Sequence, residues 1–521
     1  MEKKIVDPGT IVSKIRDKFD KKDLMILISV FVLGIISNFY FIIGDSVAPD
    51  ALSSSYFNIA GDWETQLGRF LIRYVNYMRY GFVNKLLIII ISLLCIVISV
   101  MILRRLFNIK SRIALFVLSC VICVAPQFTE TYMFIYCADA YLIAFTLAIS
   151  SVYFLNKSNN KKVYCLLSII CTLIVCALYQ AYLGVVIGLT IILLVNEILI
   201  KKIKVKDIIK KLFMYMFVIL IGVITYYVCL KLLLKIEGIE LVSYKGANSL
   251  GINTILELPK TILNCYKDFY NFFFTDKMIN NTYYRRSIIY FIIGLVTLVG
   301  MIECIIKGKN KKVISILLFA LLIVYPICVN IMNIVAPSTR INLVTGPGIF
   351  ITVLFPILVY ENSFNNNISN IKKWIILICC LVLASSFVIE NSFTYFVREQ
   401  TFNNYKVVST DIYNKATSLS EYDEDMPWMF SDVIRFRPMD LEKTNGFISS
   451  DNLTWDNYYG TFQNQFFYEK YMGIRINIVE KSIYDKITVS NDFKTMPIYP
   501  KEGSVKVIDG VIVVKVSNET Y

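Results

Sequence analysis

The stretch DSVAPDALSSSYFNIAGDWETQLGRFLIRYVNYMRYG, residues 45–81, gathers Asp45, Asp50, Asp62, Glu64, Arg69 and Arg73 into one segment between two apolar runs. A connection that only joined two helices would need a few residues. Positioned carboxylates take and give protons, and guanidinium groups bind phosphate through paired hydrogen bonds. A second group lies in PQFTETYMFIYCADAYLIAF, where Glu130 and Asp139 flank a turn and Asp139 leads into an apolar run that carries it toward hydrocarbon. A carboxylate there costs free energy unless it is used. Arg340, in APSTRIN, is the natural counter-charge. Together these residues suit a site where a hydroxyl loses a proton and a phosphate departs. The chain has no histidine, which excludes Ser-His-Asp and Cys-His nucleophile systems and His-centred metal sites. Acid–base work falls to carboxylates, Lys, Tyr or Cys.

The elements that must position these groups are membrane helices. More than half of the 521 side chains are apolar, and runs of roughly 20 apolar residues recur along most of the chain. This composition defines an all-α polytopic membrane protein. The formal net charge of +14 would suit nucleic acid in a soluble protein. Here the basic residues fall instead into short loops, beginning with Lys14, Arg16, Lys18, Lys21 and Lys22 and continuing through Arg104, Arg105, Lys161, Lys162, Lys372 and Lys373. Such loops belong on the cytoplasmic side. The spacing predicts spans near 24–43, 84–103, 113–127, 138–155, 163–179, 183–200, 212–234, 287–306, 313–332, 343–360 and 374–391, roughly eleven in all. A basic cytoplasmic N-terminus (1–23) then precedes a transmembrane domain (24–391) with external loops at 44–83 and 235–286, and a small C-terminal α/β domain (392–521) lies outside the cytoplasm.

Within the first loop, Trp63, Leu67, Phe70, Leu71, Tyr74 and Met78 share one helical face and Asp62, Gln66, Arg69, Arg73 and Asn76 the other. The pattern predicts one amphipathic helix from Asp62 to Tyr80 along the outer interface. The cysteines, almost all inside spans, read as small core residues. No phosphate-cradling Gly-rich loop occurs. The C-terminal region is polar and aromatic, with Trp428, Trp455, Tyr458, Tyr459, Phe466 and Phe467 suited either to core packing or to sugar stacking, and VKVIDGVIVVKV predicts a hairpin around Asp-Gly.

The segment PDALSSSYFNIAGDWETQLGRFLI, the hairpin containing Asp139, LYQAYLGVVIGLTIILL and the tail MPIYPKEGSVKVIDGVIVVKV resemble the GtrII-type family of bacterial and phage membrane glucosyltransferases. The resemblance implies a GT-C-like bundle that moves a sugar, glucose by family, from a polyprenyl-phosphate donor to a glycan or wall-polymer acceptor outside the cell membrane. It implies inversion, with a loop aspartate as general base: Asp50 first and Asp45 as competitor. Asp139 and Glu130 would orient the acceptor, Arg69 and Arg340 would face the donor phosphate, and Asp62, Trp63 and Arg73 complete the substrate-binding candidates. The segment GRF departs from the family pattern, in which Trp more commonly follows the Arg. No cofactor is expected, although Asp45 and Asp50 are a pair that could hold a divalent cation through oxygen. Two rivals share the many spans: a transporter or flippase of lipid-linked glycans, which calls for charges at mid-membrane and broken helices, and an O-antigen-type polymerase, for which the loop 235–286 is long enough.

Overall fold

A computed structural model describes residues 19–54, 56–158, 161–200, 205–243, 252–306, 311–337, 341–366, 369–432 and 461–518, and among them the chain is mainly helical. The helices that matter below are α1 (Lys21–Ser37), α2 (Asp62–Gln66), α3 (Ile72–Met78), α4 (Lys85–Phe107), α5 (Arg112–Cys123), α6 (Pro126–Met133) and α7 (Ile135–Lys157). They are followed by α8 (Val163–Tyr179), α9 (Leu183–Ile200), α10 (Val205–Glu237), α11 (Ile252–Phe274), α12 (Arg286–Ile306), α13 (Lys311–Val329), α14 (Leu354–Asn366) and α15 (Asn370–Thr417).

Local chemistry sets the helix ends. Asp20 caps α1, its carboxylate accepting from the Lys22 and Asp23 amides, while Asp23 reaches back to complete a capping box. Asn84 caps α4 by accepting from the Leu87 amide at 2.9 Å, and Asn108 ends that helix in the left-handed region at φ 53°.

Among the described residues seven helical segments are long and apolar enough to cross a membrane, where the sequence led us to expect about eleven. The stretch Val163–Ile200 counts once, because α8 and α9 are joined directly through a 3₁₀ turn at Gln180–Tyr182. The apolar helices Val313–Val329 and Ile349–Glu361 are short, and α1 has only 17 residues.

α7 forms the middle of the first half, packed against α4 and α8, with α8 backed by α10. The Ser151 hydroxyl bonds Ser168 Oγ at 3.0 Å and Thr172 Oγ1 at 2.9 Å, tying α7 to α8 by side-chain hydrogen bonds of the kind that join helices in lipid. Charges inside the bundle are paired. Arg286 and Glu390 join α12 to α15 with neither side chain exposed by more than 2%, and Lys211 holds Glu197 at 2.8 Å. All thirteen cysteines are free, and each is buried or half-buried.

α15 is the longest element, 48 residues, and the domain boundary expected near residue 391 falls in its middle. Beyond it, β1 (Trp428–Phe430), β2 (Val505–Ile508) and β3 (Val511–Val514) form a small sheet of order β1-β3-β2. β1 runs parallel to β3 with Met429 opposite Val513, and β2 runs antiparallel to β3 with Ile508 opposite Val511. The expected Asp-Gly hairpin is present, with Asp509 at φ 50° and Gly510 at φ 74°. Trp428 and Phe467 are buried core residues, and Trp455, Tyr458 and Tyr459 lie outside the described residues.

Candidate active site

The first loop does not form one helix. It forms α2 and α3, broken at Gly68, whose φ is +80°. A Cβ at Gly68 would stand 2.2 Å from the Tyr226 hydroxyl and 2.7 Å from the Gln180 side-chain nitrogen, so the chain turns there against α10 and the α8–α9 joint. The helical faces follow the sequence expectation only in part, with Phe70 buried and Asp62 exposed as that pattern requires. Asn76 is fully buried, while Trp63, Tyr74 and Met78 are exposed, Met78 by 82%. The reason lies in the polar groups. Asn76 Oδ1 accepts from the Ala60 amide at 2.9 Å and from Asn58 at 3.2 Å, and its Nδ2 donates to the Tyr136 carbonyl at 3.1 Å. The loop is therefore organised around an internal amide, with Trp63, Tyr74 and Tyr77 facing out and Phe70 stacked inward on Tyr226.

Asp50 sits on a 3₁₀ turn, Pro49–Ala51, and is exposed between two buried neighbours. The turn is closed by the Ala51 amide donating to the Ala48 carbonyl at 2.8 Å, and it is moored to the end of α6 by the Ala48 amide donating to the Met133 carbonyl at 3.2 Å. All eight residues of α6 are buried, so the mooring point is rigid.

Arg69 forms a cluster with tyrosine rings. Its guanidinium lies 4.6 Å from the centre of the Tyr179 ring, and Tyr179 stacks on Tyr141 with centroids 4.2 Å apart. One terminal nitrogen donates to the Tyr141 hydroxyl at 3.3 Å, and among the described residues Nε has no partner. A guanidinium held by ring faces keeps donor capacity for an oxyanion.

The remaining candidates are engaged elsewhere. Asp139 is buried and paired with Arg79, Nε to Oδ2 at 3.1 Å; Arg79 also donates to the Gly81, Phe82 and Tyr136 carbonyls, which fastens the loop's return onto α7. Glu130 is buried 3.9 Å from Arg398 of α15. Arg73 bonds Glu237 at 2.7 Å and Thr65 at 2.8 Å, linking the loop to the end of α10. Asp45 is held by Lys406 at 2.7 Å. Asp62 and Trp63 are exposed at the start of α2. Arg340 lies outside the described residues. The structure therefore holds Asp50 and Arg69 on the same folded loop and engages Asp139 and Arg73 in ion pairs between that loop and the bundle.

Sequence reasoning missed Arg79, Tyr136, Tyr141, Tyr179 and the α15 residues Arg398, Glu399 and Lys406. The signal for Arg79 was available, because a carboxylate as deep as Asp139 needs a cation. Among the described residues, no group of three or more Cys, Asp or Glu side chains could hold a metal ion. Separately, an apolar cavity of about 310 Å³ lies among the later helices, lined by Phe269, Phe273, Tyr290, Tyr325, Phe350 and Phe387.

The fold and this cluster define a multi-span membrane protein whose first loop is folded into a polar site at the edge of the bundle. The glucosyl transferase GtrII family model matches residues 39–353, more than half of the chain, and the protein belongs to that family. It is therefore a membrane glycosyltransferase by family. Neither a curated protein nor a solved structure matches the chain.

Proposed function

We propose that the protein transfers a hexose, glucose by family, from a polyprenyl-phosphate carrier to a glycan acceptor on the extracytoplasmic side of the cell membrane, with inversion at the anomeric carbon. The observation that carries this reading is that one folded loop holds both an exposed carboxylate on a moored turn, Asp50, and the ring-held guanidinium of Arg69. Asp50 takes the proton of the acceptor hydroxyl as its oxygen bonds to the anomeric carbon. The bond from that carbon to the phosphate oxygen breaks, and the phosphate leaves with the electron pair. Arg69 offers charge and donors to that oxyanion, a stabilisation worth most in the transition state. Phosphate is a good leaving group, so no strong general acid and no metal is needed. Asp45, whose carboxylate meets Lys406 at 2.7 Å, is the competing candidate for the base.

The apolar cavity among α11–α15 supports a lipid-linked donor, since a concave aromatic lining within membrane helices suits hydrocarbon. The basic loops support a cytoplasmic N-terminus. The test is transfer of radiolabelled sugar from polyprenyl-phosphate glucose in membranes that carry the native protein or Asp50→Asn at equal abundance. Native transfer that the variant loses supports both the activity and its base. No turnover of any polyprenyl-phosphate sugar would shift the reading to a flippase of lipid-linked glycans.

A further inference from the structure

Four residues before Asp50, the backbone of residues 44–46 is gripped from two helices. On α15, Glu399 Oε2 accepts from the Ser46 amide at 2.9 Å, and two turns further on Lys406 Nζ bonds Asp45 Oδ2 at 2.7 Å. Residues seven apart share one face of a helix, so α15 presents both groups to the same segment. From α4, Lys85 Nζ donates to the Gly44 carbonyl at 2.7 Å and to the Ser46 carbonyl at 2.8 Å, with its charge 4.4 Å from the centre of the Phe41 ring.

The fit at Gly44 is close. A Cβ there would stand 2.3 Å from Glu399 Oε2 and 2.8 Å from the Tyr40 carbonyl oxygen. A third contact lies on the far side of Asp50, where the Tyr56 hydroxyl donates to the Lys470 carbonyl at 2.7 Å and its ring meets Tyr471 at 6.0 Å. Glu399, Lys406, Lys470 and Tyr471 all lie beyond the family-matched residues 39–353.

We propose that Glu399 is a positioning residue for sugar transfer: with Lys85 it fixes residues 44–46 and thereby sets where the Asp50 carboxylate stands, so the region after residue 353 is an obligatory part of the site. The proposal rests on the reading of Asp50 as base. It assigns Glu399 no contact with substrate; its part is to accept a hydrogen bond from one backbone amide.

The test joins hydrogen exchange with steady-state kinetics on the full chain in membranes. Glu399→Ala is expected to speed exchange in peptides covering residues 44–54 by about tenfold or more. It should lower kcat by about 10- to 100-fold at unchanged KM for donor and acceptor, because a displaced base slows chemistry without weakening binding. Glu399→Gln, whose amide oxygen still accepts from Ser46, should stay within about threefold of native kcat. Gly44→Ala leaves Glu399 in the sequence but displaces its carboxylate, so it should reproduce the alanine phenotype; it carries the test if Glu399→Ala is not inserted at native abundance. Native kcat in Glu399→Ala, or faster exchange with kcat unchanged, overturns the positioning role. A loss of kcat that Glu399→Gln fails to restore also overturns it, since the charge and not the hydrogen bond would then matter. If native membranes transfer no sugar while the exchange result holds, the enzymatic reading falls and takes the positioning role with it, leaving only the clamp.

Discussion

Asp50 is exposed between Pro49 and Ala51, both buried, and exposure on a backbone turn suits a group that must meet a substrate hydroxyl. Asp50→Asn keeps the shape and removes the base. Its initial rate of transfer is expected to fall by about 10²- to 10⁴-fold. Arg69→Lys keeps the charge but loses the planar fork above Tyr179. It should not restore what Arg69→Met loses, roughly 10- to 1000-fold in kcat, as measured with the polyprenyl-phosphate donor. Asp45, Asp50 and Arg69 were legible in the sequence because charged residues in a loop between apolar runs announce themselves. Their partners were not legible. Arg398 for Glu130 and Lys406 for Asp45 come from hundreds of residues away, and one sequence supplies charges without pairings.

Among the elements, the first loop was the hardest to read. Its apolar residues keep helical spacing from Trp63 to Met78, and that period is real, but Gly68 breaks the helix and Asn76 turns inward. Gly68 was the one local warning, since glycine within a helical pattern costs about 1 kcal/mol relative to alanine. Gly68→Ala forces a side chain into a left-handed conformation and against Tyr226. It is expected to lower the melting temperature of the solubilised protein and to cost of order 1–3 kcal/mol. The Arg79–Asp139 pair makes a second element-scale prediction, because it fastens the loop's return to α7 with both side chains at most 3% exposed. Replacing either partner alone, as Arg79→Met or Asp139→Asn, strands a buried group. Each should destabilise by roughly 3–5 kcal/mol, with the double replacement recovering much of that loss in thermal melts.

For the whole molecule, apolarity marked the bundle and alternation marked the C-terminal hairpin, and the structure contains both. The continuity of α15 was hidden because its apolar character fades near residue 391. The helix continues because its later turns pack on the first loop and the C-terminal region instead of lipid, as Lys406 on Asp45 and Tyr413 on Trp428 show. A chain truncated after Asn366 retains all matched residues 39–353 but lacks α15. It is expected to reach the membrane and transfer no sugar in the same radiolabel assay. At 1.5 Å per residue α15 is about 72 Å long, more than twice the roughly 30 Å of hydrocarbon it crosses. The excess length makes α15 one continuous rod that joins the apolar bundle to Ser46 in the first loop and to the C-terminal sheet region.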